Sequence, residues 1–207
     1  MQRVKRIAIV AYDGVDELDL AGTLAPLRKA SEIDEGGVTL AAEVIGSGPF
    51  RLSSGLTVLP DVKFTMLYDF SCLDAVVLPG GRGASAAVQD TNLSNFLLSA
   101  KNASVPFYTV CSGVLILRDL HLLDGLLVAC HGQKAHLLAA SGCRLGAGVI
   151  RDKWLVSSGG FAPGDGLKGV EIAFHLLRDI APDLVAPVAA KMELWPQTSL
   201  HCAEEIL

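Results

Sequence analysis

Short apolar runs alternate with amphipathic stretches along the whole chain. The runs are rich in Val, Ile and Leu, as is typical of strands buried on both faces, and the stretches between them repeat apolar residues at helical spacing. The predicted strands are 6–12, 38–46, 73–81, 105–110 and 126–130, with two short ones in 144–160 around a turn at Asp152-Lys153. The predicted helices are 17–31, 92–101, 114–123, 133–141, 169–180 and one near 184–192.

This alternation predicts an α/β protein with a mostly parallel central sheet and helices on both faces. Residues 51–64 add a small antiparallel β excursion, turned at Ser54-Gly55. Pro26 lies inside the first helical stretch and predicts a kink or a late helix start. Because no linker or internal repeat interrupts the pattern, we expect one domain over residues 1–207.

Composition excludes several classes of protein. With 51% apolar and 19% charged residues, the chain is too apolar for intrinsic disorder. A net charge of −5 argues against a nucleic-acid platform, which usually carries a basic patch. No run reaches the roughly 18 apolar residues of a membrane helix, and the start reads as a first strand rather than a signal peptide. We therefore expect a cytoplasmic protein with reduced cysteines.

Cys111 is the leading candidate for a catalytic residue. Active groups of open parallel sheets gather at the carboxyl ends of the strands. The sequence "FYTVCSG" places Cys111 directly after a strand and before a helix, with Gly113 two positions on. This is the pattern of a nucleophile elbow, and the following helix N-terminus should favour the reactive thiolate. The other cysteines, at 72, 130, 143 and 202, read as buried or incidental.

Asp19 is the candidate partner of the thiol. The segment "DGVDELDLAG" after the first strand supplies four acids, and Asp19 alone is flanked by two leucines expected to face the core. A carboxyl group in such surroundings has a raised pKa and can hold a proton. We therefore predict a hydrogen bond between Asp19 and Cys111, and solvated helix-start roles for Asp16 and Glu17.

Three further positions lie at the same edge of the predicted sheet. Gly80 and Gly81 follow a strand and can present backbone N–H groups to a ligand, although a Gly-Gly pair is equally a plain turn. His131 follows the strand at 126–130 and is a candidate imidazole. No phosphate-binding or dinucleotide motif accompanies them, and no histidine pair has metal-ligand spacing, so we predict neither a cofactor nor a metal.

Three motifs together resemble the ThiJ/PfpI superfamily of class I glutamine-amidotransferase-like folds. They are "DGVDELDLAG" (13–22), "DAVVLPGGRG" (74–83) and "YTVCSGVLILRDLHLLDG" (108–125), followed by "ACH" ending at His131. The resemblance covers roughly residues 5–195 and is strongest to the isonitrile hydratases within that group. Against the usual pattern, segment 159–169 is long and Thr23 replaces a proline.

The resemblance implies a flavodoxin-like fold, a homodimer, a small-molecule substrate and no cofactor. It implies that Cys111 attacks the isonitrile carbon and that Asp19 handles the proton and orients water. The resulting thioimidate would hydrolyse to an N-substituted formamide. Ser112, Gly80 and Gly81 map onto residues that surround the cysteine in that group.

Other functions stay open at this point. A glyoxalase- or amidase-like enzyme would use Cys111 with His131 as its base. A non-enzymatic redox sensor would oxidise Cys111 to a sulfenic or sulfinic acid stabilised by protonated Asp19. A metabolite sensor would need a separate partner to act as a regulator.

Overall fold

Buried strands form the centre of the molecule, whose computed structural model describes residues 4–33, 38–64, 69–159 and 167–194. The strands are β1 (Val4–Val10), β2 (Thr39–Gly46), β3 (Phe50–Arg51), β4 (Thr57–Val58), β5 (Val62–Lys63), β6 (Ala75–Leu78), β7 (Phe107–Val110), β8 (Leu127–Val128), β9 (Arg144–Leu145), β10 (Val149–Asp152) and β11 (Leu155–Ser158). The α-helices of these residues are α1 (Glu17–Ser31), α2 (Thr91–Asn102), α3 (Val114–Asp119), α4 (Lys168–Ile180) and α5 (Val185–Lys191). Short 3-10 helices occur at Phe70–Cys72, Ala87–Gln89, Gly132–Leu138 and Pro182–Leu184.

Seven strands form one sheet in the order β10-β11-β7-β6-β1-β2-β5. All neighbouring pairs are parallel except β10 with β11. From β1 the chain moves outward to β2, and from β6 it moves the opposite way through β7 to β11. The order therefore reverses between β1 and β6, and in open α/β sheets ligands bind outside the carboxyl ends of the strands at such a point.

Helices cover both faces of this sheet, giving the flavodoxin-like fold. On one face α1 packs against α4 and α5. Because parallel crossovers are right-handed, the reversed direction of the β6–α2–β7 unit puts α2 on the other face. β6 and β7 are buried along their whole length, as their apolar runs predict, and β11 is buried too although it ends in two serines.

The predicted elements are confirmed in the main sheet and corrected at its periphery. β3 and β4 form the predicted antiparallel excursion, with Gly55 in its turn at a φ of 98°, but β5 leaves the excursion and joins the main sheet. α1 begins at Glu17, so the late start predicted from Pro26 is wrong.

Three predicted elements between residues 114 and 141 are shorter or of another kind. α3 ends at Asp119, and His121 follows with a φ of 57°, which a continuing helix cannot accommodate. The strand expected at 126–130 is only β8, which pairs with β9 outside the main sheet. The helix expected at 133–141 is a 3-10 helix. Residues 160–166 of the long segment 159–169, and Cys202, lie outside the described residues.

Candidate active site

Cys111 occupies a strained elbow between β7 and α3. Its φ is 58°, a left-handed conformation that is uncommon for a residue with a side chain and that clusters at functional sites. Its N–H donates to the Ser158 carbonyl (3.0 Å), and its carbonyl accepts from the His131 N–H (3.1 Å). The flanking strand and the segment beginning at His131 therefore hold the elbow from both sides.

Gly113 allows the elbow to lie against the end of β6. A Cβ atom on Gly113 would be 2.0 Å from the Leu78 carbonyl oxygen, which no side chain tolerates. The small residue that the sequence places two positions after Cys111 is thus a packing requirement of the elbow. Ser112 between them is fully buried.

Asp19 lies in the first turn of α1, with its carboxyl group against the elbow. Asp16 caps this helix, because its side chain accepts from the N–H groups of Leu18 (2.9 Å) and Asp19 (3.2 Å). The carboxyl group of Asp19 hydrogen-bonds the Cys111 thiol and accepts from the Gly80 N–H at 3.0 Å. Of its two leucine neighbours, Leu20 is buried but Leu18 is 56% exposed, so only one faces the core as expected.

Burial raises the pKa of both members of this pair. The pKa of Asp19 rises to about 6, first through burial and then through the charge of Asp16, against the opposing Gly80 N–H. The pKa of Cys111 rises to about 12, through burial and then the Asp19 charge, which together outweigh the stabilising Ser112 N–H. Burial therefore acts against the thiolate expected from the helix N-terminus, and α3 is short, with only six residues. At neutral pH the pair keeps one proton, on sulfur.

The Gly80-Gly81 turn forms the wall between Asp19 and Cys111. A Cβ atom on Gly80 would lie 2.7 Å from Asp19 Oδ2 and 2.8 Å from Cys111 Cβ. Gly81 has a φ of 147°, and its N–H donates to Ser112 Oγ at 3.0 Å. Both N–H groups expected to face a ligand are thus bonded inside the protein. Ser112 likewise donates back to the Gly81 carbonyl (3.0 Å). Gly80, Gly81 and Ser112 therefore hold the two turns of the site together in this structure.

Tyr12 supports the same turn from below. Its hydroxyl donates to the Pro79 carbonyl at 2.7 Å, and burial together with the charges of Asp19 and Cys111 raises its pKa well above the usual value. The phenol therefore stays protonated and keeps this hydrogen bond at neutral pH. The signal from which Tyr12 could have been inferred is its position two residues after β1, at the carboxyl end of a strand.

His131 lies beside Cys111 with one ring nitrogen already engaged. Nδ1 accepts from the Gln133 N–H at 3.2 Å and so caps the 3-10 helix Gly132–Leu138. With Nδ1 accepting this hydrogen bond, Nε2 is the ring nitrogen left for a substrate. Another titratable neighbour, Lys134, was missed by sequence analysis because it belongs to no motif.

A cavity of about 150 Å³ opens above the pair. Its lining residues are Asp16, Leu18, Asp19, Cys111, His131, Leu167, Lys168 and Gly169. The amino end of α4 thus contributes Lys168, a buried residue whose ammonium group pairs with Glu171 at 2.9 Å. A cavity of roughly this size accommodates a ligand about as large as benzene.

Neither a metal centre nor a membrane span is found in the part of the chain that the structure describes. No group of three His, Cys, Asp or Glu residues there is placed to hold a metal ion. None of the helices in those ranges combines the length and the hydropathy that a bilayer crossing requires.

The chain is similar in sequence and in structure to several known proteins. An isonitrile hydratase from Pseudomonas putida is 26% identical over 193 residues, which span 92% of this chain and 79% of that protein. A ThiJ/PfpI family protein from Pseudomonas syringae has a similar structure, with a TM-score of 0.77, 22% identity and coverage of 93% of this chain and 76% of that one.

A two-domain protein from Anabaena variabilis, with DJ-1/ThiJ/PfpI-like and ferritin-like domains, superposes with a TM-score of 0.72 and 21% identity. The match covers 85% of this chain and 48% of that protein, so the chain spans about half its length. At these identities the two structural matches establish the fold alone. Residues 5–168 match the DJ-1/PfpI family, and the chain therefore belongs to that family.

Proposed function

We propose that this protein is a cysteine-dependent hydro-lyase that hydrates a small isonitrile to an N-substituted formamide. The observation that carries the proposal is the hydrogen-bonded pair of Asp19 and Cys111, which shares one proton at the floor of a small cavity. Addition of a thiol to an isonitrile consumes one sulfur nucleophile and one proton, and the pair holds both. The similarity to the isonitrile hydratase of Pseudomonas putida supports the same reaction class.

The first step forms a thioimidate on Cys111. Asp19 takes the thiol proton and delivers it to the terminal isonitrile carbon while sulfur bonds to that carbon, giving R–N=CH–S. One S–H bond breaks and one C–S and one C–H bond form, so no oxidant or cofactor enters the balance. The raised pKa of Asp19, about 6, makes its carboxylate a base of suitable strength near neutral pH.

The second step returns the enzyme. Asp19 orients a water molecule whose oxygen adds to the thioimidate carbon, and the nitrogen takes one of its protons. The C–S bond then breaks, and the hydroxyl proton passes through Asp19 to sulfur. The products are R–NH–CHO and the Cys111 thiol, so the net reaction is the addition of one water molecule.

The experiment is formamide formation from a series of isonitriles, with the intact-protein mass followed in parallel. We expect turnover of compounds up to about the size of cyclohexyl isonitrile, and no turnover by Cys111→Ala. The matched control is Cys72→Ser, which removes an exposed thiol outside the site and should keep full activity. A folded wild type that alkylates at Cys111 but forms no formamide from any isonitrile would contradict the proposal.

His131 distinguishes this reaction from a glyoxalase- or amidase-like one. It lines the same cavity, which is the observation that favours the alternative. We propose instead that its Nε2–H donates to the substrate, because Nδ1 is occupied as a helix cap. His131→Ala should then retain part of the hydration activity, whereas a base role predicts a loss as complete as that of Cys111→Ala. Peroxide-dependent mass gain on Cys111 without turnover would instead indicate the redox sensor.

We propose that the protein acts as a homodimer in the cytoplasm, where Cys111 stays reduced. Two large apolar side chains next to β4 support the dimer, since Leu56 is 67% and Leu59 71% exposed. Exposed apolar side chains that lie close together are typical of protein–protein contacts.

A further inference from the structure

Lys134 lies against the elbow, in contact with Ser112 and with the Gly80-Gly81 turn. Its ammonium group donates to the Gly81 carbonyl at 3.0 Å and to Ser112 Oγ at 3.2 Å. Both partners belong to the two turns that shape the site. Ser112 Oγ also exchanges hydrogen bonds with Gly81, so the three residues form one closed polar unit.

Among the residues that the structure describes, the ammonium group has neutral hydrogen-bond partners. Among the ion pairs formed by the described residues none involves Lys134, and its side chain is half-buried. A half-buried cation without a carboxylate is unfavourable unless a nearby negative charge compensates it. The charge that Asp19 and Cys111 share can compensate it, because Lys134 lowers the pKa of both groups.

The chain holds Lys134 in this position through the elbow itself. The His131 N–H donates to the Cys111 carbonyl at 3.1 Å, and the Lys134 N–H donates to the His131 carbonyl at 2.8 Å. The 3-10 turn that follows His131 then directs Lys134 back toward Ser112. Movement of the elbow and movement of the ammonium group are therefore linked.

We propose that Lys134 is a positioning residue of this site: its ammonium group fixes Ser112 and the Gly81 carbonyl behind Cys111 and supplies the positive charge that balances the anion shared by Cys111 and Asp19. The expected effect of Lys134 on hydration rests on the proposed function. Its effect on the reactivity of the thiol is independent of the substrate.

Several other ionisable groups face the pair and stay unchanged in the test. They are Tyr12 after β1, Asp16 at the start of α1, His131 after β8, and Lys168 at the start of α4. Lys134 is the cation that lowers the pKa of both Asp19 and Cys111, so its replacement alters one identifiable charge.

The test compares Lys134→Met, Lys134→Gln and Lys134→Arg by the rate of iodoacetamide labelling of Cys111 between pH 6 and pH 10. Trypsin releases Cys111 in the peptide 102–118, where it is the only cysteine, so mass spectrometry counts its label alone. Met removes charge and donors, Gln keeps donors without charge, and Arg keeps both. Lys63→Met, at an exposed site on β5, is the control for net charge.

We expect Lys134→Met and Lys134→Gln to label about tenfold more slowly at pH 8, because a rise of one unit in the thiol pKa lowers the thiolate fraction tenfold. Lys134→Arg should recover most of the rate, and Lys63→Met should match wild type. Lys134→Gln should keep a higher melting temperature than Lys134→Met, because Gln can still donate hydrogen bonds to Ser112 and the Gly81 carbonyl. This difference separates the effect of the hydrogen bonds from the effect of the charge. A Gln profile that coincides with wild type overturns the charge assignment.

Hydration is then measured on the same variants. We expect kcat to fall in Lys134→Gln with KM little changed, and its pH profile to shift to higher pH. If wild type forms no formamide but the labelling differences hold, the proposed reaction fails and the role of Lys134 stands. Equal labelling of wild type and the three Lys134 variants rejects the role of Lys134 whatever the reaction.

Discussion

At the scale of single residues, the proposed chemistry and the local stability of the site both depend on one carboxyl group. Asp19 is held against the Cys111 thiol by the Gly80 N–H and is largely withdrawn from water. The burial that makes it a base near neutral pH also disfavours its charged form. Function and stability should therefore respond in opposite directions when this group is changed.

Asp19→Asn should lower the rate of formamide formation at least about 100-fold, the usual effect of losing a general acid or base. The same change should accelerate iodoacetamide labelling of Cys111 at pH 8, because the Asp19 carboxylate raises the pKa of the thiol. Labelling and hydration would thus change in opposite directions. Glu17→Gln removes an equal charge from the neighbouring position and should alter neither. Slower labelling of Asp19→Asn would contradict the assigned coupling.

Asp19→Asn should also stabilise the protein at pH 7. The folded-state pKa of about 6 lies above the usual 3.8, so the folded protein binds this proton more tightly than the unfolded chain does. The stability from this group is complete below about pH 4 and is lost as the pH rises to about 6, a difference of about 3 kcal/mol. Urea unfolding of both proteins should show a gap at pH 7 that closes at pH 4. A constant gap would refute the shifted pKa.

At the scale of elements, the site depends on how closely two loops approach at the end of the sheet. The elbow after β7 and the turn after β6 meet with less than a methyl group of space between them. Glycine is required there by packing rather than by chain flexibility alone. The acidic residues of the neighbouring segment have a separate task, since Asp16 caps α1 and Asp13 accepts from the Arg51 N–H at 2.8 Å.

Gly113→Ala should destabilise the fold by more than about 2 kcal/mol, in the range of overpacking in a dense core. The added Cβ atom would lie 2.0 Å from the Leu78 carbonyl oxygen. This oxygen belongs to the backbone and cannot turn aside as a flexible side chain could. Gly48→Ala is the matched control, because an added Cβ there has no neighbour within 4 Å. Thermal unfolding of the two variants measures the difference. Similar melting temperatures would show that the elbow adjusts freely.

At the scale of the whole molecule, the reversal of strand order between β1 and β6 assembles the site. Asp19 follows β1, the glycine turn follows β6, and Cys111 follows β7, which are three neighbouring strands. Parallel strands end at the same edge, so residues 92 positions apart in the chain come into hydrogen-bond contact. A cavity of about 150 Å³ opens above them.

Sedimentation equilibrium should give a mass of twice the 21.7 kDa chain. Leu59→Glu places a charge on the proposed apolar contact and should shift the protein toward the monomer. Leu98→Glu, on the partly exposed face of α2, is the control and should leave the mass unchanged. A wild type that sediments at the chain mass would dismiss the dimer.

The sequence by itself determined the alternation of strands and helices and the succession of the main-sheet strands along the chain. It also singled out Cys111 and Asp19 as the leading candidate pair. These depend on local patterns: buried apolar runs, a helix cap, and a cysteine between a strand and a glycine. The kind and length of the segments between residues 114 and 141 were mistaken, because tertiary contacts rather than periodicity decide them.

Only the tertiary structure decided the protonation and the supporting residues of the site. The N-terminus of α3 predicts a thiolate, but burial and the Asp19 charge together leave the proton on sulfur. Gly80 and Gly81 are free donors in the sequence and bonded ones in the structure. Lys134 belongs to no motif and reaches the elbow through the turn after His131. Desolvation and long-range charge depend on three-dimensional position, which local sequence patterns do not encode.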